Sequence, residues 1–254
     1  YARAARFAPP RREGLPKQAT RAIEFGPLCP QRNPMTPRIS EDCLFLNIWT
    51  PDAHPSARRP VMVYFHGGAY ASGSGSSPLY DGTNLATKGD VVVITVNHRL
   101  NAFGYLSLSR LNKDFPHSGN AGMWDLVLAL EWVRDNAAAF GGDPSRVFVF
   151  GQSGGGAKIA TLMAAPSARG LFHSAATMSG QQVTACGPLN GQLRAQAYLD
   201  TLGIAPEDTT ALRAAPVETL IDALATRDPV NPEHGLYFGP VLDGRFLNRH
   251  PFWP

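Results

Sequence analysis

The sequence predicts an α/β protein built on a mostly parallel central sheet with helices on both faces. Three observations carry that expectation. Short apolar, β-branched runs recur at Val61–Phe65, Val91–Val96 and Val147–Phe150, as strands buried on both faces do. Segments with helical apolar spacing alternate with them. One run also passes straight into Gly151-Gln152-Ser153-Gly154-Gly155, a strand–turn–helix junction with a serine at its tip.

Taken in order, residues 1–40 hold Pro9, Pro10, Pro16, Pro27, Pro30, Pro34 and Pro37 and read as an irregular covering loop. Leu44 to Trp49 is a first strand, and Ala57 to Pro60 a turn. Val61–Phe65 is a buried strand that runs into His66-Gly67-Gly68-Ala69. A Gly/Ser-rich loop follows over 71–82. Val91–Val96 is another buried strand and ends at Asn97-His98-Arg99. The spacing of Trp124, Leu128, Leu130 and Trp132 predicts the longest helix over 120–139, stopped by Phe140-Gly141-Gly142. The elbow strand comes next, then a helix from Gly154 to Ala165. Ala175 to Met178 is a further strand. Residues 189–232 read as a helical excursion outside the sheet, broken at Gly203 and Pro216. Phe238 to Leu242 is a last short strand. The 254 residues form one domain on this reading.

A hydrophobic share of 44% suits a buried core, and a charged share of 17% argues against global disorder. The net charge of +3 is too mild to point to nucleic acid. The early basic residues Arg3, Arg6, Arg11, Arg12 and Lys17 read as a solvated surface segment. No apolar run reaches transmembrane length. Cys29 and Cys43 lie 14 positions apart in the proline-rich stretch, and spacing alone leaves a disulfide or two thiols open. Cys186 has no obvious partner.

The chemistry concentrates at two turns. Gly151-x-Ser153-x-Gly155 places a serine where the backbone is tight, and the helix behind it aims its first N–H groups at the same spot. His66-Gly67-Gly68 also follows a buried strand. The N–H groups of Gly67, Gly68 and Gly154 could together bind the oxyanion formed when Ser153 attacks an ester carbonyl, each worth about 3 kcal/mol in the transition state.

With both turns in this order, the chain resembles the type-B carboxylesterases of the α/β-hydrolase fold, the group that includes para-nitrobenzyl esterases and cholinesterases. Glu41-Asp42-Cys43-Leu44-Phe45-Leu46-Asn47-Ile48 is similar to one family signature, and Phe140-Gly141-Gly142-Asp143-Pro144 through Gly151-Gln152-Ser153-Gly154-Gly155 to the other. Tyr80-Asp81-Gly82, Asn97-His98-Arg99-Leu100 and Gly119-Asn120-Ala121-Gly122-Met123-Trp124-Asp125 fit in family order. The resemblance runs from about Tyr1 to about Pro251. It implies Ser153 as nucleophile, Gly67, Gly68 and Gly154 as oxyanion-hole amides, a Cys29–Cys43 disulfide, a carboxylic ester as substrate, and no metal or cofactor. The implied disulfide leans toward an exported protein. Gln152 departs from the family's usual glutamate and Gly154 from its usual alanine.

A serine needs a base and an orienting acid, which in this fold follow it in the chain. The resemblance places neither among the residues after Ser153. Asp243 and His250 read as structural, as do His66 and His98. The expectation is therefore an α/β-hydrolase domain incomplete on its C-terminal side, a serine carboxylesterase fragment inactive alone. The alternatives are a catalytically silent binding or adhesion protein of the same fold, which the exposed Ser153 argues against, or an amidase or lipase.

Overall fold

The computed structural model describes residues 1–14, 21–181 and 184–253. Pro16 and Lys17, assigned above to the covering segment, and Pro254 lie outside the described residues. The central sheet holds β3 (Leu46–Trp49), β4 (Arg59–Phe65), β5 (Val92–Val96), β6 (Gly142–Gln152) and β7 (Ser174–Met178) in the order β3-β5-β4-β6-β7. β3 runs antiparallel to β5, and the other neighbours are parallel. This is the mostly parallel sheet expected.

Alternation along the strands decides which face each residue covers. Val61, Val63 and Phe65 join Val92, Ile94, Val96, Val147 and Val149 in the main core. Against them packs α3 (Ala121–Asn136), through Met123, Leu126, Ala129, Leu130 and Val133. Val93 faces the other way and packs with Ala86 of α1 (Thr83–Gly89), Trp49 and Met62. Helices thus cover both faces of the β5 region. No helix among the described residues is long and apolar enough to cross a membrane.

Four expectations change. The elbow strand is not buried on both faces: Val147 and Val149 are buried, whereas Phe148 and Phe150 are half-buried and stack on each other at 5.6 Å. Its neighbour β7 is equally open, with its residues half-buried or exposed. Phe238 to Leu242 forms no strand. Gly239 and Pro240 interrupt it, and it makes only an isolated bridge between Val241 and Cys186 while Phe238 packs edge-on to Tyr198. The first forty residues contain regular pairing, since β1 (Ala2–Arg3) and β2 (Arg11–Arg12) are antiparallel. Finally, Arg3, Arg11 and Arg12 are exposed as expected, but Arg6 is not. Arg6 pairs with Glu41 and donates to the carbonyls of Leu212, Arg213 and Ala215, which ties the amino-terminal segment to the helical region.

That region contains α5 (Pro188–Leu202), α6 (Thr209–Ala214) and α7 (Val217–Asp222). It contributes Tyr198, Leu199, Leu212 and Leu220 to the main core. α2 (Asn101–Tyr105) follows Arg99, whose guanidinium grips Asp125 of α3. Cys29 and Cys43 are joined as a disulfide with Cα atoms 5.0 Å apart, and both sulfurs sit in a second apolar cluster with Leu44, Leu100 and Leu128.

Candidate active site

Ser153 stands between β6 and α4 (Gly154–Ala164) with φ 55° and ψ −122°. A residue with a side chain reaches that region only at a cost of about 1–3 kcal/mol, which the surrounding structure must impose. The constraints are visible. Ser153 N–H donates to Met178 O at 2.7 Å on β7, and Ser153 O accepts the Ala157 N–H at 3.1 Å as the first turn of α4. Gly155 packs so tightly under β4 that a Cβ there would lie 2.0 Å from Phe65 O. The serine Oγ is therefore carried out of the sheet by a turn no bulkier sequence could make.

The 66–69 turn lies directly against this elbow. An ideal Cβ on Gly67 would sit 3.6 Å from Ser153 Cβ and 2.9 Å from Gln152 O. A Cβ on Gly154 would lie 2.6 Å from Ala69 N and 2.4 Å from Ala69 O. Gly68 and Ala69 both take positive φ, 84° and 51°. The backbone N–H groups of Gly67, Gly68 and Ala69 meet no acceptor among the described residues. Donors left unpaired beside a strained serine are what an anion site requires. The first turn of α4 adds N–H groups that also lack intrahelical partners. Gln152 is exposed, and the departure from glutamate leaves no carboxylate at the position before Ser153.

Two residues join the site that the sequence motifs did not single out. Ala69 supplies the N–H nearest to Gly154, and its only sign in the sequence is its place after the paired glycines. Lys158 is fully buried on α4 and donates to His66 O at 2.9 Å and Ala69 O at 2.7 Å. A lone lysine beside the apolar Ile159 and Leu162 was the available signal. Burial without a carboxylate beside it pulls Lys158 down to about 7.

Four of the seven histidines, His66, His98, His173 and His250, are engaged elsewhere. His66 Nδ1 lies 2.8 Å from Gly67 O, and His98 Nδ1 lies 3.0 Å from Arg99 O. The two rings stack at 4.8 Å. Burial, with the Lys158 charge adding to it, pulls His66 down to about 3 and His98 well below its usual range. His173 Nδ1 accepts from Val147 N–H and His250 Nδ1 from Ala185 N–H, each at 3.1 Å. Asp243 Oδ1 accepts from the N–H groups of Arg245, Phe246 and Leu247. None of these contacts reaches Ser153, so among the described residues the geometry brings together a strained serine and unpaired amide donors, with none of these imidazoles or carboxylates hydrogen-bonded to the serine.

The model of the carboxylesterase family matches residues 1–253. The chain is 41% identical over 255 residues to the para-nitrobenzyl esterase of Bacillus subtilis (strain 168), covering 97% of this chain and 51% of that protein. It is 38% identical over 220 residues to the acetylcholinesterase of Gallus gallus, covering 84% of this chain and 28% of that one. Among solved structures, a carboxylesterase of Geobacillus stearothermophilus superposes with a TM-score of 0.89 at 42% identity, over 97% of this chain and 50% of its own. The chain thus spans about half the length of the first of these relatives and of that structure. A match over nearly every residue, in sequence and in backbone, leaves one conclusion: the chain belongs to the carboxylesterase family, with the α/β-hydrolase fold.

Proposed function

We propose that this chain carries the nucleophilic half of a serine carboxylesterase. Ser153 Oγ attacks the carbonyl carbon of a carboxylic ester, and the carbonyl electron pair moves onto oxygen. The N–H groups of Gly67, Gly68 and Gly154, with that of Ala69, bind the oxyanion. The Ser153 proton, taken up by a general base of the complete enzyme, passes to the alcohol as its C–O bond breaks, which leaves an acyl group on Ser153 that water removes as the carboxylic acid. The observation that carries the reading is the apposition of the unpaired 66–69 amides to a serine held at φ 55°. No step needs a metal or cofactor. Residues 1–254 act here as one α/β-hydrolase domain, with 1–40 as covering segment and 189–232 as its helical excursion. The small-molecule ester is named by class only.

The test is hydrolysis of p-nitrophenyl esters by the complete reading frame in which these residues lie, whatever its length, with and without Ser153→Ala. The complete protein should turn over, and the substitution should lower kcat by about 10⁶-fold. Turnover indifferent to Ser153→Ala overturns the reading. The 254-residue chain alone should retain only about 10³–10⁴ over water, the part an oxyanion hole and binding supply without a base.

A further inference from the structure

The amides of the 66–69 turn are aimed by what holds their carbonyls. All peptide bonds of the described residues are trans, so each C=O points opposite to the N–H in the same plane. His66 O shares a plane with Gly67 N–H, Gly67 O with Gly68 N–H, and Gly68 O with Ala69 N–H. Each of these carbonyls is gripped. Lys158 Nζ donates to His66 O at 2.9 Å. His66 Nδ1, which must carry its proton to meet a carbonyl, lies 2.8 Å from Gly67 O. Gly68 O accepts from Ala71 N–H and Ser72 N–H, each at 3.1 Å. Ala69 O, which closes the turn, is again held by Lys158, at 2.7 Å.

We propose that Lys158 is the positioning residue of the oxyanion hole: its ammonium ties the His66 and Ala69 carbonyls to the helix that begins at Ser153, and so fixes the turn's amides relative to the nucleophile. The proposal rests on the reading of this turn as the oxyanion hole. Three features support it. Lys158 and Ser153 belong to one rigid element, α4 and its first turn. The ammonium is fully buried, and the contacts it gains are these two carbonyls and the face of Tyr70, 5.4 Å from Nζ. An apolar side chain would fill the same space without the desolvation cost but could hold neither carbonyl. A donor on a C=O also polarises its peptide group and strengthens the N–H opposite, so Gly67 becomes a better donor as well as a fixed one.

The groups facing Lys158 are His66 and His98 from the ends of β4 and β5, Tyr70 from the turn, and Thr161 on its own helix, whose Oγ1 lies 3.5 Å from Tyr70 Oη. Both imidazoles are neutral through the working range, so the lysine is the one member of this group that changes charge near neutrality. Raising the pH through about 7 should weaken its hold on the turn.

The experiment has two arms. In the complete reading frame, Lys158→Met should lower kcat for p-nitrophenyl esters by about 10–100-fold, while KM changes by less than about threefold, because a displaced amide is felt in the transition state. The alkaline dependence of kcat that Lys158 imposes should vanish in the variant. Equal change in KM, or an unaltered pH profile, overturns the proposal. The second arm needs no turnover. In wild-type protein the backbone ¹⁵N resonances of Gly67 and Tyr70, whose peptide planes carry the two gripped carbonyls, should titrate together with the Lys158 ammonium. Exchange of the Ala71, Ser72 and Asn101 amides, whose acceptors are carbonyls of residues 68 and 70, should quicken over the same pH interval. Independent behaviour of Gly67, Tyr70 and Lys158 overturns the proposal even if Lys158→Met fails to fold. If the wild-type protein shows no Ser153-dependent turnover, the esterase reading fails, and the NMR arm still decides the role of the lysine.

Discussion

At the scale of single residues, the site depends on where a side chain is absent. Gly154 stands where the resembled family usually has alanine, and the 66–69 turn lies so close that a methyl group would meet Ala69 N, Cα and O within 2.6 Å. Backbone cannot rotate out of the way as a side chain can. Gly154→Ala should therefore push the turn off the elbow and cost about 1–3 kcal/mol, as overpacking does. A urea midpoint equal to that of wild type would show that the turn can give way freely. The stacked histidines make a prediction about pH. Both are held neutral when folded, whereas unfolded imidazoles take up protons below about 6.5. The unfolded state then binds more protons, so stability falls as pH drops from about 6.5 toward 3. Thermal midpoints across this interval should decline, and His98→Phe should flatten the decline. An identical slope in that variant would place the acid sensitivity elsewhere.

At the scale of elements, α3 is the anchor for the segment that precedes β3. Asp125 is fully buried and accepts Arg99 Nε, Nη2 and N–H at 2.9, 2.6 and 2.9 Å. The same guanidinium donates to Ala5 O, Ala8 O and Ala121 O. One charge pair thus fastens the amino-terminal segment, the end of β5 and α3 together. Replacing such a pair wholesale with apolar groups can be neutral, but removing one partner strands a buried charge. Asp125→Ala should cost about 3–5 kcal/mol in denaturant unfolding and speed proteolysis within residues 1–8. A loss under about 1 kcal/mol would mean that water or another group takes over the arginine.

At the scale of the whole molecule, the disulfide fastens the proline-rich stretch to the body. Its loop spans 14 positions, and its sulfurs sit in a cluster with Ala2, Leu44, Leu100 and Leu128, so the crosslink also stitches the first residues to β3 and α3. Cys29→Ser with Cys43→Ser should lower stability by about 3 kcal/mol in the chain-entropy model. Thermal unfolding with and without reductant checks it, and coincident curves would argue that the buried cluster alone sets the loop.

The sequence by itself determined the elements that depend on local pattern. Strand positions around Val61, Val92 and Val149, the helix over Ala121–Asn136 and the elbow at Ser153 were legible because apolar periodicity and glycine placement act over a few residues. The pairing of His66-Gly67-Gly68 with that elbow was legible as a motif, since both are glycine turns that directly follow apolar runs. Only the tertiary structure decided what depends on residues distant in the chain. Strand character at Phe238 to Leu242 failed because Gly239 and Pro240 interrupt the run and only an isolated bridge to Cys186 meets it. The half-exposure of Phe148 and Phe150 is set by what covers the sheet, which a strand's own residues do not encode. Arg6 looked like a surface charge because carbonyls more than 200 positions away are invisible to local pattern. Lys158 was silent for the same reason: its meaning lies in two carbonyls about ninety positions earlier, which fold back over the helix only once β4 and β6 have paired.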